Sequence, residues 1–343
     1  MQTKPDFIVS LSDASAGLSQ VGGKGASLAR MAASGLPAPP GFHITTAAYR
    51  QFVAEYELQA QILAAASIAI PDQPATLEEA SGRIGKLFAQ SAMPEDIAEA
   101  IRRAYAGLGE GDVPVAVRSS ATAEDLPDMS FAGQQETYLN MRGEAMVLDA
   151  VRRCWASLWT ARAIGYRARH NIAPQDVSLA VVVQVLVPAD ADGILFTANP
   201  LTGARSQVMI NAAWGLGEAI VGGHVTPDTV IVDKASGRIV ERKINKKDVI
   251  TIRTTEGTRQ DAVPKNRRNK AVLSPAQSVE LARIGMQIEE LYSQPMDIEW
   301  AIYDGCISIL QARPITALPD PPRRFSFQAR ETIHIRAREH RKE

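Results

Sequence analysis

DIEWAIYDGCISILQARP, residues 297–314, is built as two short apolar strands folded over Asp304-Gly305, with Asp297, Glu299, Gln311 and Arg313 interrupting the apolar pattern. Residues two apart on a strand share a face, so Asp297 goes with Glu299 and Gln311 with Arg313. Whether both pairs face the same way depends on the turn. A two-residue loop at Asp304-Gly305 sets Glu299 opposite Leu310 and sends Gln311 to the other face. A three-residue loop of Tyr303, Asp304 and Gly305 pairs Ile302 with Cys306 and puts Asp297 opposite Gln311, with Glu299 beside them. The pattern predicts that register or an equivalent bulge. Two carboxylates, an amide oxygen and a guanidinium on one face suit a hard divalent cation, best magnesium, that bridges phosphate oxygens while arginine neutralises the remaining charge. An ion pair on an exposed strand face is the alternative reading.

Upstream segments bear on that choice. In VGGKGASLARMAASG (21–35) a glycine-rich turn feeds an apolar-periodic helix that Gly35 ends, so Lys24 stands at a helix entrance where backbone N–H groups favour an anion. It is not a P-loop, because GxxxxGK[ST] is absent. In VPVAVRSSATAEDLPDMSFAGQQETYLNM (113–141) a buried strand carries Arg118, a loop of small and acidic residues follows, and a glycine turn opens a second strand. A buried guanidinium needs a carboxylate or a phosphate, and Glu124 or Asp125 would also satisfy Arg118 structurally. Gly133 permits close backbone approach to a ligand, although a plain hairpin turn explains it too. SLAVVVQVLV (178–187) is a continuous apolar strand interrupted by Gln184, a candidate for reading a base or a buried amide satisfied by backbone. Together these describe a nucleoside triphosphate site.

The rest of the chain supplies the frame. At 343 residues it fits one large two-lobed domain or two ordinary ones, and 45% hydrophobic residues with a net charge of -1 exclude a global positive field for nucleic acid. Two cysteines, Cys154 and Cys306, make neither a metal spacing nor a disulfide framework, which points to a reducing compartment. With no secretory pattern at MQTKPDFIVS and no apolar run of membrane-spanning length, a cytoplasmic protein is expected, without membrane or nucleic-acid partners. Residues 57–110 read as helical, and VLDAVRRCWASLWTARAIGYRARH (147–170) as one long helix over a sheet with Cys154 in the core. Thr45 and Thr46 read as caps of the helix that follows them. TVIVDKASGRIVERKI (229–244) reads as a hairpin and TTEGTRQDAVPKNRRNK (254–270) as a solvated loop. Ser274, Pro275 and Gln277 open a helix with a capping box. Residues 317–343 read as linker and tail.

VGGKGASL, AVRSSATAEDLPDMSFAGQQETYLN, NAAWGLGEAIVGG, and MDIEW followed by LQARP resemble the N-terminal nucleotide-binding domain shared by phosphoenolpyruvate synthase, pyruvate phosphate dikinase and rifampicin phosphotransferase. The resemblance runs from about residue 8 to 316, in the family's order. It implies an α+β, ATP-grasp-like fold, with lobes at 1–186 and 187–316 clamping ATP. It implies further that Lys24, Arg118 and Arg313 contact phosphates, and that Gly133 and Thr137 belong to the loop over them. Glu299 and Gln311 would hold Mg2+ with Asp297 in support, Gln184 and the backbone near Leu186 would take adenine, and Glu218 would match a motif of less definite role. Such enzymes pass the β-phosphoryl of ATP to a histidine on a separate carrier domain, and from there to an acceptor such as pyruvate or a rifamycin. None of His43, His170, His224, His334 and His340 sits in a carrier motif, so a domain, a truncated product or one subunit of a split enzyme is expected, dependent on a carrier-histidine domain or subunit. A non-catalytic ATP-binding module and an ATP-grasp carboxylate ligase are the competing readings.

Overall fold

The computed structural model describes residues 6–122, 136–170, 172–255 and 257–319. The first half of the chain contributes, in order, β1 (Ile8–Ser10), α1 (Leu18–Ala33), β2 (Gly41–Ile44), α2 (Thr46–Glu55), α3 (Leu58–Ala66), α4 (Pro74–Gln90) and α5 (Glu95–Ala106). There follow β3 (Val115–Ala121), β4 (Thr137–Met141), α6 (Gly143–Ser157), α7 (Ala161–Arg169) and β5 (Leu179–Val185). Its strands make an antiparallel sheet in the order β1-β2-β5-β3-β4. The unbroken apolar run of β5 is buried on both faces, as its composition requires. Val181 and Val183 pack on the helical layer with Phe52, Phe88 and Trp155, while Val182 joins the core of the second lobe with Leu28 and Met31 of α1.

The second half supplies β6 (Ala191–Phe196), β7 (Gln207–Trp214), α8 (Glu218–Val221), β8 (Asp228–Asp233), β9 (Ile239–Lys243), β10 (Val249–Thr254), β11 (Gly257–Ala262), α9 (Pro275–Tyr292), β12 (Met296–Tyr303) and β13 (Cys306–Pro314). Six of these strands form a sheet in the order β13-β12-β6-β7-β8-β9, and β10 and β11 pair separately. On one face Ile298, Trp300 and Ile302 meet Leu281, Ile284 and Ile288 of α9. The other face, with Asp297, Glu299 and Ala301, opens on a cleft between the lobes. The fold is thus α+β with two lobes about a cleft, the ATP-grasp-like plan that the resemblance implied. Among the described residues no helix is long and apolar enough to cross a membrane.

Local chemistry accounts for the helix ends. Gly35, at φ 75°, closes α1 with Leu36 N–H on Met31 O and Gly35 N–H on Ala32 O, at 3.2 and 3.1 Å. The capping box of α9 is present, with Ser274 and Gln277 as its two halves. Three expectations need correction. The single helix expected over 147–170 is two, because Thr160 caps α7 by accepting from the Ala163 N–H at 3.3 Å. Thr45 is the N-cap of α2 by position, but its hydroxyl donates to Asp6 O instead of capping. Residues 254–262 are not a solvated loop: they complete the β10–β11 hairpin, whose exposed Arg259, Gln260 and Asp261 hide a strand from a periodicity reading.

His43, on β2, is fully buried, and among the described residues neither ring nitrogen has a hydrogen-bond partner. Burial pushes its pKa from 6.5 down to about 4, opposed first by the Leu11 backbone and then by Asp13. The folded protein therefore refuses a proton that the unfolded chain accepts. Stability from this group is complete above pH 6.5 and falls as the pH drops towards 4, by about 3 kcal/mol in all. Urea titrations at pH 7 and pH 4.5 should show that loss in the wild type and a shallower one in His43→Val. Parallel curves would mean that the ring is hydrated.

Candidate functional site

The β12–β13 hairpin reaches its facing through a bulge, the second of the two routes expected. Its loop has two residues, with Asp304 and Gly305 left-handed at φ 46° and 75°, and Tyr303 pairs with Cys306. Such a turn matches the twist of the strands it joins. The three-residue loop is therefore corrected. Pairing runs regularly to Trp300↔Ile309 and then slips, leaving Leu310 as an extra residue. Beyond the bulge Glu299 lies opposite Gln311 and Asp297 opposite Arg313, so the expected Asp297–Gln311 pair is also corrected. The bulge lets Ile309 and Ala312 stay in the core while Gln311 and Arg313 face the cleft.

The cleft has a volume of about 580 Å³, within the usual range for a small-molecule site. Lys24, Arg118, Thr137, Gln184, Leu186, Glu218, Asp297, Glu299, Gln311 and Arg313 all line it. Gly133, expected nearby, lies outside the described residues, as do Glu124 and Asp125.

Lys24 is placed by a break in α1. Gly22 adopts φ 71°, ψ 176° inside the helix, and a Cβ there would lie 2.3 Å from Ser120 O. Only glycine fits at that approach. Ser120 fastens the break to β3, accepting from the Gly25 N–H at 3.0 Å and donating to Val21 O at 2.7 Å. The loop bearing Lys24 is thereby held two residues along β3 from Arg118.

Arg118 is 8% exposed in its side chain and finds its carboxylate across the cleft, with Nη1 3.2 Å from Glu299 Oε2. Among the described residues its Nε has no partner. Arg313 grips Asp297 Oδ2 through Nε at 3.0 Å and Nη2 at 2.9 Å. Burial nevertheless holds the Asp297 carboxyl above the ordinary carboxylate range, with Arg313 opposing. Gln184 is buried, and its amide nitrogen donates to Pro39 O at 3.5 Å, a long contact. The Leu186 N–H is already used by Pro114 O at 2.9 Å. Beside these two, Ala116, Leu139, Leu186 and Leu216 form an apolar slot with walls from both lobes.

One cleft residue escaped sequence reasoning. Asp192 in β6 is buried, and burial with Glu299 close by raises its pKa well above the ordinary value, opposed by Arg118 and by hydrogen bonds from Gly217 and Gly193 N–H. Nothing in the stretch ADADG (189–193) marks Asp192 as a cleft residue. Only the β6–β12 register, in which Asp192 faces Ala301 and Ile194 faces Glu299, reveals that Asp192 and Glu299 share the cleft face.

The donor set suits a hard cation: Glu299 and Gln311 directly opposed, with the carboxyls of Asp192 and Asp297 on the same face. Burial and the nearby Glu299 carboxylate already disfavour ionisation of Asp192, and a bound divalent charge would relieve that. Among the described residues no three acid, histidine or cysteine side chains stand close enough together to hold a metal ion by themselves. Magnesium is commonly held by few protein ligands and completed by phosphate and water, so the residues fit that ion.

Residues 18–331 match the family model described as the pyruvate phosphate dikinase AMP/ATP-binding domain. The chain is 44% identical over 316 residues to a probable phosphoenolpyruvate synthase of Methanothermobacter thermautotrophicus, covering 91% of this chain and 46% of that protein. A probable phosphoenolpyruvate synthase of Methanocaldococcus jannaschii is 47% identical over 302 residues, covering 87% and 25%. A rifampicin phosphotransferase of Streptomyces sviceus is 44% identical over 301 residues, covering 87% and 34%. The chain spans less than half the length of each of these relatives. By the extent of the family match, the chain belongs to the pyruvate phosphate dikinase AMP/ATP-binding domain family.

Proposed function

We propose that this chain binds ATP with Mg2+ in the cleft and donates the β-phosphoryl group to a carrier histidine outside it, as the nucleotide half of a dikinase-type phosphotransferase. The carrying observation is that Glu299 and Gln311 oppose each other on one lobe while Arg118 and Lys24 face the same cleft from the other. The adenine ring occupies the slot of Ala116, Leu139, Leu186 and Leu216, with the Gln184 amide at its polar edge. The triphosphate then runs towards Lys24, Arg118 and Arg313. Thr137, across the strand pair from Arg118, stands at the mouth of the phosphate channel. Glu299 and Gln311 hold the metal, Asp297 orients Arg313, and Glu218 closes the side formed by the 215–218 turn.

Phosphoryl transfer asks little covalent chemistry of a protein and much positioning and neutralisation. Glu299 and Gln311 would hold the cation, whose charge would help neutralise the phosphates. Arg118 exchanges part of its contact with Glu299 for a phosphate oxygen, which satisfies the Nε that lacks a partner in the described structure. Arg313, with its guanidinium fixed on Asp297, adds positive charge at the phosphate end of the cleft. We assign the lobes to 1–186 and 187–316; the expected linker and tail at 317–343 lies, beyond residue 319, outside the described residues. The final acceptor, pyruvate or a rifamycin-like molecule, is chosen by the partner that carries the histidine.

The test is incubation with Mg2+ and γ-labelled ATP, with and without a separately expressed carrier-histidine domain, resolving AMP, ADP and phosphate. AMP and labelled phosphate in equal amounts, with phosphate on the carrier, are expected only when the carrier is present. Tight ATP binding without AMP under either condition would refute phosphoryl donation in favour of a binding module, and ADP release driven by a carboxylate would point to a ligase.

A further inference from the structure

The hairpin of β10 and β11 touches both lobes. At its tip, Asn140 of β4 is fully buried and donates from Nδ2 to Thr254 O and to Gly257 O, 2.7 Å each, the two carbonyls that flank the hairpin turn. Both amide protons are thereby used. The amide oxygen accepts from Arg142 Nε at 3.2 Å. Asn140 is left-handed at φ 60° and sits where β4 slips register against β3, a bulge that turns the side chain towards the hairpin. Asparagine tolerates that conformation better than other residues with a side chain.

At its other end the hairpin holds the 215–218 turn. Leu216 N–H donates to Thr251 O at 3.0 Å, and Gly215 bridges to Thr251. Gly215 has φ 79°, and a Cβ there would lie 2.4 Å from Thr251 O, so the turn is seated without clearance. Leu216 and Leu139, next to Asn140, both line the apolar slot, one from each lobe. The hairpin is bonded to the Asn140 side chain beside one and to the backbone of the other.

We propose that Asn140 is a positioning residue for nucleotide binding: by clasping the β10–β11 turn to β4 it sets the spacing of Leu139 and Leu216 across the base slot. The proposal rests on the reading of the slot as the base site. It predicts an effect on the base and not on the phosphates, because Lys24, Arg118 and Arg313 are held by Ser120, Glu299 and Asp297, none of which the hairpin contacts through the bonds named here.

The experiment compares wild type with Asn140→Gly, which keeps the left-handed backbone at no steric cost, and with Asn140→Asp, which puts carboxylate oxygens against the two carbonyls. Amide hydrogen exchange over residues 249–262 is measured beside calorimetric affinities for adenosine, ATP and tripolyphosphate. In both variants we expect hairpin exchange to quicken by at least about tenfold, with β3 and β5 unchanged. Adenosine and ATP affinities should fall by a common factor of about ten, and tripolyphosphate affinity should stay within about twofold. Exchange that does not change, or a loosened hairpin with full adenosine affinity, would overturn the proposal. So would an equal loss for tripolyphosphate, which marks general loosening. Wild-type protein that takes tripolyphosphate but not adenosine would instead refute the base-slot reading and the proposal with it, a result distinct from variants that bind as wild type does.

Discussion

Glu299→Gln should lower ATP affinity in the presence of magnesium by about a hundredfold or more, while leaving adenosine affinity and folding nearly unchanged. The substitution keeps the size of the side chain and an oxygen that can accept from Arg118, and removes the negative charge that faces Gln311. Titration of ATP with and without Mg2+ is the measurement: the wild type should show a large magnesium dependence and the variant almost none. An unaltered dependence would remove Glu299 from the metal site. Alanine is a poorer probe here, because Arg118 is buried and would lose its carboxylate. That loss costs about 1–3 kcal/mol on its own, less than for a fully buried pair since Glu299 is 32% exposed. A fall in melting temperature for Glu299→Ala but not for Glu299→Gln would separate the two roles.

Lys247→Ala should destabilise the second lobe by about 3–5 kcal/mol, the range for removing one partner of a buried ion pair. Lys247 and Asp228 are 0% and 2% exposed, with Nζ 2.5 Å from Oδ1. The carboxylate also accepts from Asn245 N–H and Val272 N–H, both at 2.9 Å, and Lys247 donates to Asn245 O at 2.7 Å. One carboxylate therefore joins β8, the segment after β9 and the approach to α9. Losing the ammonium leaves it buried with backbone donors alone. Urea denaturation of Lys247→Ala, Asp228→Asn and the double variant Lys247→Ala/Asp228→Asn gives the pair's coupling. The double variant, with no charge left buried, should recover much of the stability lost by Lys247→Ala. A loss under about 1 kcal/mol in Lys247→Ala would show that water reaches the site.

Much of the site was readable before the fold, because its residue types are unusual for where they stand. A lysine among glycines, an arginine in a buried strand and polar groups on an apolar hairpin each break a local pattern, and a broken pattern is visible in one dimension. Other features carry no such mark. Asp192 lies in a stretch that resembles any polar connector, and Asn140 in a strand end that resembles any other. Lys247 stands in a basic run whose other members are exposed. What makes these residues consequential is a neighbour distant along the chain: Glu299 for Asp192, the Thr254 and Gly257 carbonyls for Asn140.

The sequence by itself determined the α+β class, most of the elements, the face-sharing of Asp297 with Glu299 and of Gln311 with Arg313, and the family, since these follow from periodicity, turn chemistry and motifs read over a few residues. Tertiary structure alone decided the two-residue turn with its bulge at Leu310, the Arg118–Glu299 pair across the cleft, the break at Thr160 and the placing of β10 and β11 between the lobes. Local propensity constrains only what lies within a few residues. Register, cross-lobe pairing and burial of charge depend on which distant surfaces meet, and competing local arrangements there differ by less than the free energy of that packing.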